Sequence, residues 1–424
     1  MRRAWRKNLS TLILVVSIVL SHRISGHAGH AGSVPGSPQV PLFQVDPTWL
    51  KLPPNWALGQ GSAVTVDKHD NVWILHRPRY VGKLYEQPAG KTAAPPVLEF
   101  DGSGKFIQAW GGPGAGYEWP DQEHGIYVDD QDNVWIGGSA RPALAGPGPG
   151  NLRSDNMLLK FTNTGKFVMQ IGHRDQSTGN NDTRNLYSPT DVFLYSKTNE
   201  VFVSDGYINR RVIVFDPNTG AFKRMWGAFG NVPTDSPDQL KNARTPNPNP
   251  GEREPDAPAA PAGRGNSGSG IASNRRPPET GPGPDQFNTV HSLKVSNDGL
   301  VYVADRANKR VQVFTIDGKF VTQAFINRDG QGNTACGIAL SPDPDQRFLY
   351  VADFGNAHIV VMDRKSLEVL YQFSDNSGTP GNFVLRGPHH IAVDSKGNLY
   401  TAEAHPGNRV QKFVFKGLGA PPRQ

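Results

Sequence analysis

The chain is poor in cysteine, in charge and in helix-compatible stretches, and each shortage excludes something. Cys336 is the only cysteine in 424 residues. An intramolecular disulfide framework and a cysteine-based zinc module are therefore ruled out. Charged residues make up 19%, and the excess of positive charge is an end effect. Arg2, Arg3, Arg6, Lys7 and Arg23 all precede the first acidic residue, Asp46. Without these five, the 44 basic residues fall to 39, against 38 acidic ones. No basic body remains for a nucleic acid to grip. The chain beyond the N-terminus sustains no helix period. Its 47 Gly and 36 Pro residues would break long helices, so a helical bundle is excluded.

What is present begins with a leader. MRRAWRKN is a positive segment, and Leu12–Leu20 (LILVVSIVL) is an apolar run followed by small residues. Nine residues are too few to span ~30 Å of hydrocarbon, so 1–32 reads as a signal peptide cleaved between Ser25 and Ser33. The alternative is an uncleaved anchor. No lipobox cysteine follows. The expected location is secreted or periplasmic, with no stable membrane span after cleavage.

The remainder, 33–424, is organised by an internal repeat. Ser62–Leu75 (SAVTVDKHDNVWIL), Glu123–Gly137 (EHGIYVDDQDNVWIG) and His291–Asp305 (HSLKVSNDGLVYVAD) are alternating apolar strands around a polar turn. Related segments start at Thr190, Cys336 and His389. This is a hairpin signature. Each hairpin precedes a further strand pair, such as RVIVFDPNTGAFKRMWG. Six units of four strands predict an all-β, six-bladed β-propeller. The last unit stops one strand short, and Pro41–Val45 is the expected closing strand. Residues 231–286 are nearly devoid of large apolar side chains and read as a disordered insertion. Arg141–Asn151 reads as a smaller Gly/Pro loop.

The first residues of the six innermost strands are Ser62, His124, Thr190, His291, Cys336 and His389. Alternate units carry His. In a six-fold ring these three imidazoles lie 120° apart and converge on the axis, as in a three-histidine metal site with an open position. Solvated channel-lining imidazoles are the competing reading.

Two resemblances follow from quoted residues. DRANKRVQVF (305–314), with its relatives at 205–215 and 353–362, resembles the NHL repeat, whose Asp and Asn/Arg residues tie strands within a blade. Beyond that repeat, LGQGSAVTVDKHDNVWILHR (58–77), SPTDVFLYSKTNEVFVSDGYINRRVIVF (188–215), the stretch from Val290 to Arg306 and that from Pro388 to His405 resemble peptidyl-α-hydroxyglycine α-amidating lyase. That enzyme is the lyase half of peptidylglycine α-amidating enzyme, and the likeness covers most of 55–415. It implies that zinc is held by His124, His291 and His389. Tyr207 would be the catalytic tyrosine, and Arg77 and Arg306 would handle the substrate. The family places an Asp directly after its third zinc histidine, where it helps hold calcium. Here His390 stands in that place, which argues against calcium. The family's paired cysteines are replaced near Tyr187, Ile208, Tyr302 and Val313.

The implied reaction splits an N-acyl-α-hydroxyglycine into an amide and glyoxylate, so the expected partner is a small molecule or peptide ending in α-hydroxyglycine. Zinc would lower the pKa of the hydroxyl, Tyr207 would act as base, and the arginines would hold the carboxylate. Strand-tying by the arginines, above all by Arg306 next to Asp305, and a blade-edge role for Tyr207 are the structural alternatives. Cys336 reads as a small buried residue, with a thiol near the metal as the alternative. His76, His390 and His405 read as partners orienting the tripod or as solvated side chains. Two other functions compete: a metal-dependent propeller hydrolase, and a non-catalytic NHL propeller that binds a partner across its face. The chain is expected to be a monomer.

Overall fold

The computed structural model describes residues 39–82, 88–141, 153–235, 281–330, 332–374, 387–404 and 409–422. Six four-stranded antiparallel sheets account for nearly all the regular structure. Blade one comprises Gln60–Val66, Val72–Arg77, Val97–Phe100 and Phe106–Trp110. Blades two to five repeat the order with inner strands Glu123–Val128, Pro189–Tyr195, Val290–Val295 and Ala335–Leu340. Blade six runs Pro388–Val393, Leu399–Glu403 and Arg409–Gly419, and takes its outer strand from Val40–Asp46. The expected closing strand is therefore present. The hydroxyl of Tyr371, in blade five, also bonds the Pro41 carbonyl and pins it. Each inner strand packs against the next, and the sixth packs against the first, so the ring closes. Closure removes the exposed inner edges that an open sheet would leave.

The repeat folds this way for local reasons. In blades one and two, Asp67 and Asp129 sit at the hairpin turn and accept backbone N–H bonds across it. Their second oxygen accepts the indole N–H of Trp73 or Trp135 at 2.9 Å. In blade six Asp394 accepts from the Tyr400 hydroxyl at 3.0 Å. Turn polarity and core aromatic are thus one unit. At the other end of the hairpin, Asp205 Oδ2 binds Arg211 Nε at 2.9 Å and Asn209 at 2.8 Å. Asp305 Oδ2 binds Arg310 Nε and Asn308, each at 2.8 Å. These Asp and Arg residues are fully buried ion pairs, where losing one partner costs ~3–5 kcal/mol. The strand-tying role read from the repeat is carried by Arg211 and Arg310.

The ends of the stretch expected to be disordered are built into the fold. Thr234 N donates to Gln286, and Asn180 donates to Asp235. The carbonyls of Pro282 and Pro284 accept from buried Arg310 at 3.0 and 2.7 Å. Only 236–280 of that segment lie outside the described residues, together with 142–152, His405 and the leader.

Candidate metal centre

All six inner strands break register with their neighbours near their first residues. Such bulges re-aim side chains, and here they turn the strand starts toward the axis. His124, His291 and His389 are fully buried there. With His390 they form a cluster whose donor atoms all lie within 4.8 Å of one another. The structure brings together the three histidines that alternate-unit spacing singled out.

The other three strand starts hold them. His124 Nδ1 meets the Thr190 carbonyl at 2.8 Å, His291 Nδ1 the Cys336 carbonyl at 3.2 Å, and His389 Nδ1 the Ser62 carbonyl at 2.6 Å. A carbonyl only accepts, so each Nδ1 carries the proton and each Nε2 turns a lone pair inward. Blades one, three and five thus orient the imidazoles of blades two, four and six. The hydroxyls of Ser62 and Thr190 lock the same ring by donating to the carbonyls of His124 and Val290.

Those lone pairs form a site that a cation could occupy. His291 Nε2 and His389 Nε2 are 3.1 Å apart, a repulsive contact unless something positive sits between them. A proton is disfavoured: burial drives the pKa of all three imidazoles well below 6.5, and the neighbouring histidines push the same way. The donor set therefore fits a metal that favours imidazole nitrogen. It does not fit calcium, which takes an oxygen-rich shell. The nearby carboxylate, Asp191, already accepts from Ser292 at 2.6 Å, from Lys294 at 2.8 Å and from the Val192 and Leu293 amides.

Tyr207 lies at this centre. Its hydroxyl is 3.1 Å from His124 Nε2 and 3.3 Å from His291 Nε2. Gly206 makes that approach possible, since a Cβ there would stand 1.9 Å from the Val290 carbonyl oxygen. The guanidinium of Arg141 covers the Tyr207 ring at 4.4 Å. Arg141 opens a Gly/Pro-rich stretch, and no sequence signal ties it to the tyrosine.

The two arginines differ in setting. Arg77 is buried, donating Nε to the Glu123 carbonyl at 2.7 Å and Nη1 to Gln60. Its charge helps depress the pKa of His124 and His389. Arg306, which follows the Asp305 that pairs with Arg310, is buried. Its guanidinium lies 4.9 Å over the Phe354 ring, which stands 6.4 Å from the His389 ring. Phe354 carries no sequence signal, because its place, just after the second strand, is occupied differently in every repeat.

Of the remaining candidates, Cys336 is buried, with its sulfur 3.4 Å from His291 Nδ1. His76 takes no part in the centre. Its Nδ1 accepts from the Gly59 amide and its Nε2 faces the Pro95 carbonyl, both at 3.0 Å. Burial lowers its pKa to about 4. His390, expected to be an outer partner at most, is a member of the cluster itself.

Comparison with known proteins agrees with this architecture. The NHL repeat family model matches residues 287–314. Over 375 residues the chain is 26% identical to peptidylglycine alpha-amidating monooxygenase of Rattus norvegicus, covering 84% of this chain and 30% of that protein. It is 25% identical over 393 residues to peptidyl-alpha-hydroxyglycine alpha-amidating lyase 1 of Drosophila melanogaster, covering 87% of this chain and 59% of that protein. It is also 23% identical over 432 residues to NHL repeat-containing protein 3 of Mus musculus, covering 98% and 97%. The chain thus spans less than two thirds of these two amidating relatives and nearly the whole of the third. It is a six-bladed β-propeller carrying the NHL repeat, similar over most of its length to proteins named for α-amidation.

Proposed function

We propose that this chain is an exported, zinc-dependent lyase that cleaves an N-acyl-α-hydroxyglycine to an amide and glyoxylate. The observation that carries the reading is the convergence of three oriented Nε2 lone pairs beneath the Tyr207 hydroxyl. His124, His291 and His389 would hold the zinc, whose Lewis acidity makes a substrate hydroxyl easier to deprotonate. Tyr207, as phenolate, takes the carbinol O–H proton. The oxygen's electron pair then forms the aldehyde carbonyl of glyoxylate as the C–N bond breaks. The departing amide nitrogen takes back one proton, so Tyr207 returns to its starting state. Arg306 and Arg77 are cations beside the centre, and a planar guanidinium suits the substrate carboxylate.

A second reading is favoured by one observation: the match to NHL repeat-containing protein 3 spans almost both whole chains. In that reading the propeller binds a partner and turns nothing over. A hydrolase is disfavoured, because the donor cluster among the described residues contains no carboxylate. Metal analysis of the purified protein, combined with glyoxylate release from α-hydroxyhippurate, separates these. Stoichiometric zinc with turnover supports the lyase. A folded, zinc-loaded protein without glyoxylate release refutes it.

A further inference from the structure

We propose that His390 is a fourth nitrogen donor to the metal centre, closing it from the hairpin-turn end of the axis, away from Tyr207. The inference rests on a metal occupying the cluster and not on which reaction follows. The register break in blade six lies between Pro388 and His390, and it lets two successive imidazoles join one cluster. The residues at the same place in the other blades are Ala63, Gly125, Asp191, Ser292 and Gly337, so no other blade contributes a second imidazole.

His390 is 4% exposed, and its Nε2 is buried without a hydrogen-bond partner. An orphaned buried nitrogen in a native interior calls for a partner. The ring lies 5.0 Å from that of His389 and 5.4 Å from those of His124 and His291. Asp191, the adjacent carboxylate, already accepts from Ser292, Lys294 and two amides. His390 also borders a cavity of about 180 Å³ shared with Tyr127, Phe193 and Lys294. These residues come from the hairpin-turn half of the inner strands, whereas Tyr207 follows a second strand at the opposite end.

Four neutral imidazoles make a shell without an anionic ligand, suited to zinc, copper or nickel. Substrate entering from the Tyr207 side would then raise the coordination number, as zinc sites can during reaction.

X-ray absorption at the zinc or cobalt edge of the full metal-loaded chain counts imidazoles directly, and competition with a chromophoric chelator measures affinity. The expected wild-type count is four, falling to three in His390→Ala. Affinity should drop at least 10-fold, with His390→Gln behaving alike and both metal-free variants melting near the wild type. Three imidazoles in the wild type would overturn the proposal even if neither variant folds. So would wild-type affinity in both variants. Neither readout depends on turnover, so a failed lyase assay leaves this result standing.

Discussion

Replacing Tyr207 by Phe removes one oxygen from the centre and little else. The ring remains under the Arg141 guanidinium, 4.4 Å from its centroid, and Gly206 still permits the close approach to Val290. The lost contacts include those to His124 Nε2 at 3.1 Å and His291 Nε2 at 3.3 Å. One hydroxyl proton can satisfy only one of these acceptors, so the net stability loss is about 1 kcal/mol. A metal held by those nitrogens reduces it further. The catalytic loss should be larger. A general base contributes ~10²–10⁴-fold, or about 3–5 kcal/mol of barrier, and kcat should fall by that factor. Three quantities decide the matter on α-hydroxyhippurate: kcat, zinc content and melting temperature. A blade-edge tyrosine would move the melting temperature and spare turnover. Near-wild-type kcat with zinc retained would remove Tyr207 from the mechanism.

Three further outcomes are expected. Arg306→Lys keeps a cation but loses the planar fork over Phe354, so KM for carboxylate-bearing substrates should rise more than kcat falls; an unchanged KM would clear Arg306 of substrate binding. Deleting 246–278 should leave the melting temperature unchanged, because its composition offers no apolar anchor. Extending the deletion through 284 should cost about 2–5 kcal/mol, since buried Arg310 loses the Pro282 and Pro284 carbonyls; equal stability of the two deletions would refute this accounting. The metal-free protein should lose stability on acidification below pH 6.5. His76 and His390, lowered to about 4 by burial, and the three axial imidazoles, lowered well below 6.5, stay neutral when folded and take up protons when unfolded. Their contribution is full above 6.5 and is lost toward pH 4. Glu123 and Asp155, raised to about 7 by burial, and Asp305, raised to about 6, oppose them, favouring the fold at low pH and losing that contribution as pH rises. Five groups outweigh three, so unfolding at pH 5.5 should take up roughly two protons. Calorimetry in buffers of different ionisation heat reads that number, and net release would contradict the burial argument.

The sequence by itself determined the architecture, because a propeller is specified locally. Alternating strands, Asp-centred turns and the Asp–Arg ties all lie within one repeat, and six copies leave a ring as the way to bury every inner face. It also determined the tripod. A residue type recurring at one register position in alternate repeats becomes a cluster once the ring closes. Tertiary structure alone decided what crosses between repeats. The carbonyls of Ser62, Thr190 and Cys336 that set the imidazole tautomers belong to neighbouring blades and have no residue-type signature. The cation over Tyr207 comes from Arg141 in blade two, and the ring under Arg306 from Phe354 in blade five. His390 joined the cluster through a bulge, which shifts side-chain alternation by one residue. A strict period of two would have sent it away from the axis.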